Sequence, residues 1–324
     1  MRRVLVPLDG SPFGESVLSL AGDIAERMGS NIELVTVNPP DRHPDIPASM
    51  IAEIASARGV GARLYLDMQA QELHRRFEVA VYAAVLDGPV ASALAEHARH
   101  DPPELIVMST HGRSGPSRLF LGSVADRLLR ELHCPFVVAK PGSLGELPAH
   151  ARILVPLDGS SLAESVLDAV ARFFPCDRTT LRLVRVVPPA EVLPVGTSMP
   201  LPHTVPDLME ARLAGANAYL ERTAAKLRRM GWHVEHEVIT DWHPSAAVLR
   251  STADHRCDLI ALATRGLGGV ERIFLGSVAD KVIRGAAVPV LVVNPPGDAA
   301  SRLLMEQPEV EAVGEALEAH VGSA

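Results

Sequence analysis

The sequence predicts an α/β protein built from two tandem domains, each a five-stranded parallel sheet flanked by helices. Three observations lead there. The chain has 324 residues, and a single hydrophobic core rarely grows past roughly 250 to 300. It repeats itself at domain scale: Arg3 to Leu18 reads RVLVPLDGSPFGESVL and Arg152 to Leu167 reads RILVPLDGSSLAESVL, while Leu119 to Arg130, LFLGSVADRLLR, returns as Ile273 to Arg284, IFLGSVADKVIR. The offset is 149 residues at the first pair and 154 at the second, so the halves are colinear and differ by small insertions. Within each half, short apolar runs alternate with longer helical patterns, the mark of βαβ units.

In the first half the pattern predicts strands at 3–8, 32–37, 77–85, 104–109 and 135–139, with helices at 12–28, 50–75, 89–100 and 122–132. In the second half it predicts strands at 152–157, 180–187, 233–240, 258–263 and 289–293, with helices at 161–173, 206–230, 244–255 and 276–286. Runs such as Leu105-Ile106-Val107-Met108 and Leu259-Ile260-Ala261-Leu262 are apolar throughout, as expected of strands covered by helices on both faces. A stretch rich in proline and glycine sets the boundaries: domain one over 1–141, a linker over 142–150, domain two over 151–296. Two Pro-rich loops, at 39–47 and 188–206, follow the second strand of each half, on the side where such sheets collect ligands. The tail 297–324 holds six acidic residues and one arginine and is either an amphipathic helix or disordered.

Composition narrows the function. Forty-seven per cent of residues are apolar and 22 per cent charged, the balance of a packed protein rather than a disordered one. The formal charge of -8 provides no basic field for a phosphate backbone or an anionic membrane, so neither nucleic acid nor membrane is expected as a partner. The three cysteines are far apart and lack CxxC spacing, which argues against a disulfide framework or a zinc site. With no apolar run near 18 residues and an apolar start cut short by Asp9, a cytoplasmic location is expected.

Two constellations carry chemistry. After the fourth strand come Ser109-Thr110-His111-Gly112-Arg113, then Gly122-Ser123 opening a helix; Gly266 and Gly276-Ser277 repeat the theme. Glycines let backbone N–H groups approach a ligand, and a helix N-terminus favours an anion. The plainer reading is a turn followed by serine-capped helices. Asp9 and Asp158 end the first strand of each half in Val-Pro-Leu-Asp-Gly-Ser. Each carboxylate stands where a ribose, a base or a hydrated metal could meet it, or it makes only an Asx-turn or a helix cap, a job Ser11 and Ser160 could also do.

Together these residues resemble the universal stress proteins in their tandem two-domain form, up to about Pro295. Nucleotide-binding members of that family carry Gly-x2-Gly-x9-Gly-Ser/Thr after the fourth strand. Gly112 and Gly122-Ser123 keep the x9 spacing, as do Gly266 and Gly276-Ser277, but Ser109 and Ala263 replace the first glycine. The resemblance implies Rossmann-like domains of the adenine nucleotide alpha hydrolase type that bind an adenine nucleotide, ATP foremost, with Mg or Mn. It implies that Pro7, Asp9 and Val37 surround adenine and ribose, and that Met108, Ser109, Gly112, Arg113, Gly122, Ser123 and Val124 line ribose and phosphates. The second set is Pro156, Asp158, Val186, Leu262, Ala263, Gly266, Gly276, Ser277 and Val278. It further implies that the domains pair through their last strands, around 136–139 and 290–293, and it leaves a homodimer of the whole chain open.

Catalytic motifs are not found. The chain lacks Gly-x4-Gly-Lys-Ser/Thr, and Asp-Gly-Ser replaces the Ser-Gly-Gly-x-Asp-Ser loop of the N-type ATP pyrophosphatases. The expected role is regulation in a stress response without turnover, against two alternatives: a slow metal-dependent ATPase or nucleotidyl-transfer enzyme, and a ligand-free scaffold. His97, His100, His233 and His236 are expected at the surface, and Trp232, Trp242 and Tyr219 in the core or a subunit contact.

Overall fold

The computed structural model describes residues 2–40, 47–110, 121–143, 145–189, 205–264 and 275–294. The tail 297–324, His111 to Phe120, Arg265 to Phe274 and most of both Pro-rich loops lie outside them. In chain order the first half contains β1 (Arg3–Pro7), α1 (Pro12–Glu15), α2 (Leu18–Met28), β2 (Asn31–Asn38), α3 (Ala48–Arg76), β3 (Val81–Asp87), α4 (Val90–His100), β4 (Leu105–Ser109), α5 (Ser123–Glu131) and β5 (Phe136–Ala139). The second contains β6 (Ala151–Pro156), α6 (Ser161–Phe173), a short turn of 3-10 helix (Cys176–Arg178), β7 (Thr179–Val187), α7 (Val205–Arg229), β8 (His233–Thr240), α8 (Pro244–Asp254), β9 (Leu259–Ala263), α9 (Ser277–Gly285) and β10 (Val290–Val293).

All ten strands join one sheet in the order β3-β2-β1-β4-β5-β10-β9-β6-β7-β8. Neighbours within each half run parallel, so each half is a Rossmann-like five-stranded unit, with the switch of direction between β1 and β4 in the first and between β6 and β9 in the second. The halves meet where β5 pairs antiparallel with β10, Val137 standing opposite Leu291. This is the last-strand pairing expected above, and it uses up two fully buried apolar edges that would otherwise invite association.

Strand alternation splits the core between the two sheet faces. Val4, Val6, Val107 and Val137 pack on one side with Ile153 and Val155 of the second half. Leu5, Ile106 and Phe136 pack on the other with Leu154 and Ile260. Each layer therefore runs across the seam. Leu147 of the linker is buried; its N–H donates to Asp23 Oδ2 at 3.1 Å, and Arg27 donates to its carbonyl at 3.0 Å. Burial holds the Asp23 carboxyl above its ordinary value, the hydrogen bond from Arg27 opposing the shift.

Several expectations need correction. The helix expected over 12–28 is divided into α1 and α2, with Ser16 and Val17 between them in helical torsions and the Ser16 hydroxyl donating to Phe13 O at 2.7 Å. The strand expected from residue 77 begins at Val81: Phe77 ends α3 and Val79 is buried between the elements. Both side chains alternate as strand residues would, yet they are buried in the core outside the strand, Phe77 against Gly22 of α2. Among the described residues, no helix is long and apolar enough to cross a membrane.

Candidate functional site

Two turns bring the first strand of each half to its helix in the same way. Asp9 Oδ1 accepts from the Ser11 N–H at 3.0 Å and from its hydroxyl at 2.6 Å, and Ser11 Oγ accepts from the Gly14 N–H at 3.1 Å, capping α1. Asp158, Ser160 and Ala163 repeat these bonds at 2.9, 2.6 and 3.1 Å. The Asx-turn and the serine cap are thus both realised. They fix one carboxylate oxygen of each aspartate at the C-terminal end of its sheet.

The helices after the fourth strands begin differently. Gly122 and Gly276 stand at the N-caps of α5 and α9 without a side-chain cap, and Ser123 and Ser277 are already helical. The serines therefore do not cap these helices, contrary to the plainer reading. In a chain that caps α1 and α6 with serine, the two glycine starts leave first-turn amides without a side-chain cap, the arrangement that suits an anion. The Gly122 N–H donates to Thr110 O at 2.8 Å, and the Thr110 N–H to Ala139 O at 2.9 Å. A Cβ on Gly122 would lie 3.0 Å from that same Thr110 oxygen.

Between these elements lies a cavity of about 280 Å3, beside the switch between β1 and β4 where open α/β sheets bind ligands. Pro7, Asp9, Val37, Met108, Ser109, Gly122, Ser123 and Val124 all line it. Gly112 and Arg113 fall outside the described residues, as does Gly266. In the second half Pro156, Asp158, Val186, Leu262, Ala263, Gly276, Ser277 and Val278 stand at the matching ends of β6, β7, β9 and α9. Asp158 is exposed where Asp9 is half-buried.

Sequence reasoning missed Gly14, Thr36, Val90 and Leu94, which also line the cavity. Gly14 has a visible reason: a Cβ there would lie 2.6 Å from Asp9 Oδ1. Its counterpart Ala163 carries that Cβ beside the more exposed Asp158, a one-atom difference between the halves that the aligned repeats already display. Val90 and Leu94 come from α4, and only the fold brings that helix to the mouth.

Other expectations are revised. Trp232 is buried, but Trp242 is 52% exposed and so is not a core residue; it follows β8 in the turn that leads into α8. His97 is not a free surface histidine: its Nε2 lies 3.0 Å from Glu33 Oε1, a carboxylate that Arg3 also engages. His236 is likewise mostly buried, its Nδ1 3.5 Å from Glu221. Among the described residues, no group of three or more His, Cys, Asp or Glu gathers as a metal site.

The fold has parallels in known proteins. A structure of a universal stress protein from Archaeoglobus fulgidus covers 91% of this chain and 98% of its own at 20% identity, with a TM-score of 0.66; this likeness concerns the fold. Universal stress protein Rv1996 of Mycobacterium tuberculosis is 26% identical over 319 residues, 92% of this chain and 96% of that one. Universal stress protein MJ0531 of Methanocaldococcus jannaschii is 29% identical over 143 residues, 43% of this chain and 82% of its own. The model of the universal stress protein family matches residues 1–140 and again 150–294, and the chain belongs to that family.

Proposed function

We propose that the chain binds an adenine nucleotide, ATP foremost, in the cavity of the first half, with a second site at the matching turn of the other half, and that it serves stress-response regulation rather than turnover. The observation that carries this reading is the convergence of an aspartate turn, a buried strand end and an uncapped helix start on one cavity at the switch point. Apolar walls from Val37, Leu94 and Met108 suit a flat base, while Ser109 and the α5 amides suit ribose and phosphate.

Among the described lining residues Asp9 is the one ionisable side chain, so the cavity offers a ligand more recognition than acid–base chemistry. A magnesium or manganese ion fits this donor set only as the partner of a bound triphosphate, with one protein carboxylate and the remaining oxygens from phosphate and water. Asp9 in the first half and Asp158 in the second would hold it, and the ion would supply charge neutralisation for the phosphates.

The experiment is nucleotide content followed by titration. Protein is purified, denatured and assayed for released adenine nucleotide, and stripped protein is titrated with ATP with and without magnesium. Binding that is lost at the first site in Gly122→Val supports the reading, since the added side chain must move Thr110 or the helix start. No nucleotide released and no ATP bound overturns it. Multiple-turnover ADP or AMP release lost in Asp9→Ala and Asp158→Ala would instead show an enzyme.

A further inference from the structure

The halves differ most sharply beside the aspartate turn. Pro7 pairs with Val35 and Pro156 with Val184, so Thr36, which lines the first cavity, has Arg185 as its counterpart one residue further along β7. The Arg185 guanidinium lies over the Tyr219 ring, 5.1 Å from its centroid. Its Nη1, Cζ and Nη2 come within 3.1, 3.2 and 3.2 Å of the point where a Cβ on Gly159 would sit. Gly159 has a φ of +93°, so glycine is favoured there both for its torsion and for the room it leaves. The ring beneath is itself anchored, because the Tyr219 hydroxyl donates to Glu164 Oε1 at 2.8 Å.

Arg185 is thus a half-buried cation held flat between a tyrosine ring and the turn that carries Asp158. Among the described residues it makes no hydrogen bond or ion pair, and its side chain lies against the Tyr219 ring. Stacking covers the faces of a guanidinium and leaves its N–H edge for an anion, and the fixed plane lowers the ordering cost when a phosphate binds bidentately. In nucleotide-binding α/β folds generally, a carboxylate near the strand end selects a free ribose hydroxyl, and a nearby arginine accommodates a phosphate on that hydroxyl.

On these grounds we infer that the second half takes an adenine nucleotide bearing an additional phosphate on its ribose, at the 2′ or the 3′ oxygen, whereas the first half takes an unmodified ribose. This rests on the nucleotide-binding reading above. In the first half an extra phosphate would meet half-buried Asp9 with Thr36 standing where the second half has Arg185, a like-charge encounter. In the second half Asp158 is exposed to screening water, and Arg185 supplies the opposite charge.

The test uses the full chain with its first site closed by Gly122→Val and measures, by calorimetry, binding of AMP, adenosine 2′,5′-bisphosphate and adenosine 3′,5′-bisphosphate. One of the two bisphosphates is expected to bind at least about tenfold tighter than AMP, and which of the two does so identifies the oxygen. Arg185→Thr should bring that ligand to parity with AMP, and Arg185→Lys, which keeps the charge but not the flat fork, should lose most of the preference. Binding of AMP with no preference for either bisphosphate overturns the inference and leaves the nucleotide reading standing. Binding of none of the three by the parent chain or by this variant overturns both.

Discussion

Asn294, the residue after β10, donates its side-chain amide to the carbonyl oxygen of Leu132 at the end of α5, 3.0 Å away and 162 residues earlier in the chain. The same nitrogen donates to Leu129 O at 2.9 Å, and Asn294 Oδ1 accepts from the Thr264 hydroxyl at 2.6 Å. One buried side chain of the second half therefore satisfies carbonyls that every helix C-terminus leaves without an intrahelical partner. Asn294→Ala should cost about 1 to 3 kcal/mol, the penalty for stranding buried acceptors. Urea unfolding measures it, and an unchanged midpoint would mean that water reaches the seam.

Gly14 separates binding from stability. Gly14→Ala places a methyl group 2.6 Å from Asp9 Oδ1, so the carboxylate must shift and nucleotide affinity at the first site should fall by about tenfold. The same change raises helix propensity, by up to about 1 kcal/mol in a helix interior. Calorimetry and thermal unfolding on one sample should show weaker binding without lower stability.

Two glycine-to-alanine changes should move stability in opposite directions. A Cβ on Gly22 would lie 2.3 Å from the Phe77 ring, whereas Gly59 has nothing within 4 Å. Gly22→Ala should destabilise by about 1 to 3 kcal/mol through overpacking, and Gly59→Ala, inside α3, should stabilise by about 0.5 to 1 kcal/mol. Urea midpoints of the two variants provide the comparison.

Asp23 should give the chain an unusual pH response. Its carboxyl is raised from 3.8 by burial, so the folded chain keeps this proton to higher pH than the unfolded chain does. The contribution is fully present below 3.8 and is lost as pH rises through the folded value. Measured from about pH 3 to about pH 7, the stability of the parent relative to Asp23→Asn should therefore decline and then level off. A relative stability that rises with pH would contradict the assignment.

The repeats and the fully buried strands were legible because they are written in local pattern: β5 and β10 are apolar at every position and β4 at every position before Ser109, and α6 and β8 have the bounds that periodicity predicted. Phe77 and Val79 misled because alternation in a short run looks the same whether the residues enter a sheet or bury under a helix. Asp9, Ser109 and Gly122 were legible through the repeated motif. Gly14 and the contrast between Thr36 and Arg185 were not, because their meaning depends on a carboxylate or a tyrosine ring that only folding brings near. The partners of Asn294 were equally hidden, since a single asparagine after a strand carries no local signal.

Lys140 stands one step beyond β5, as Asn294 stands one step beyond β10, and its ammonium donates to the carbonyl of Arg284 near the end of α9. Each half thus closes the other's last helix, one with an amide and one with a cation whose pKa burial lowers. In a dimer of identical single-domain subunits, any residue at this position would appear twice, and each change would have to suit both sides of the two-fold axis at once. Covalent fusion removes that demand. The same release applies to Gly14 against Ala163 and to Thr36 against Arg185, so in a joined chain the turn of each half can change without its counterpart.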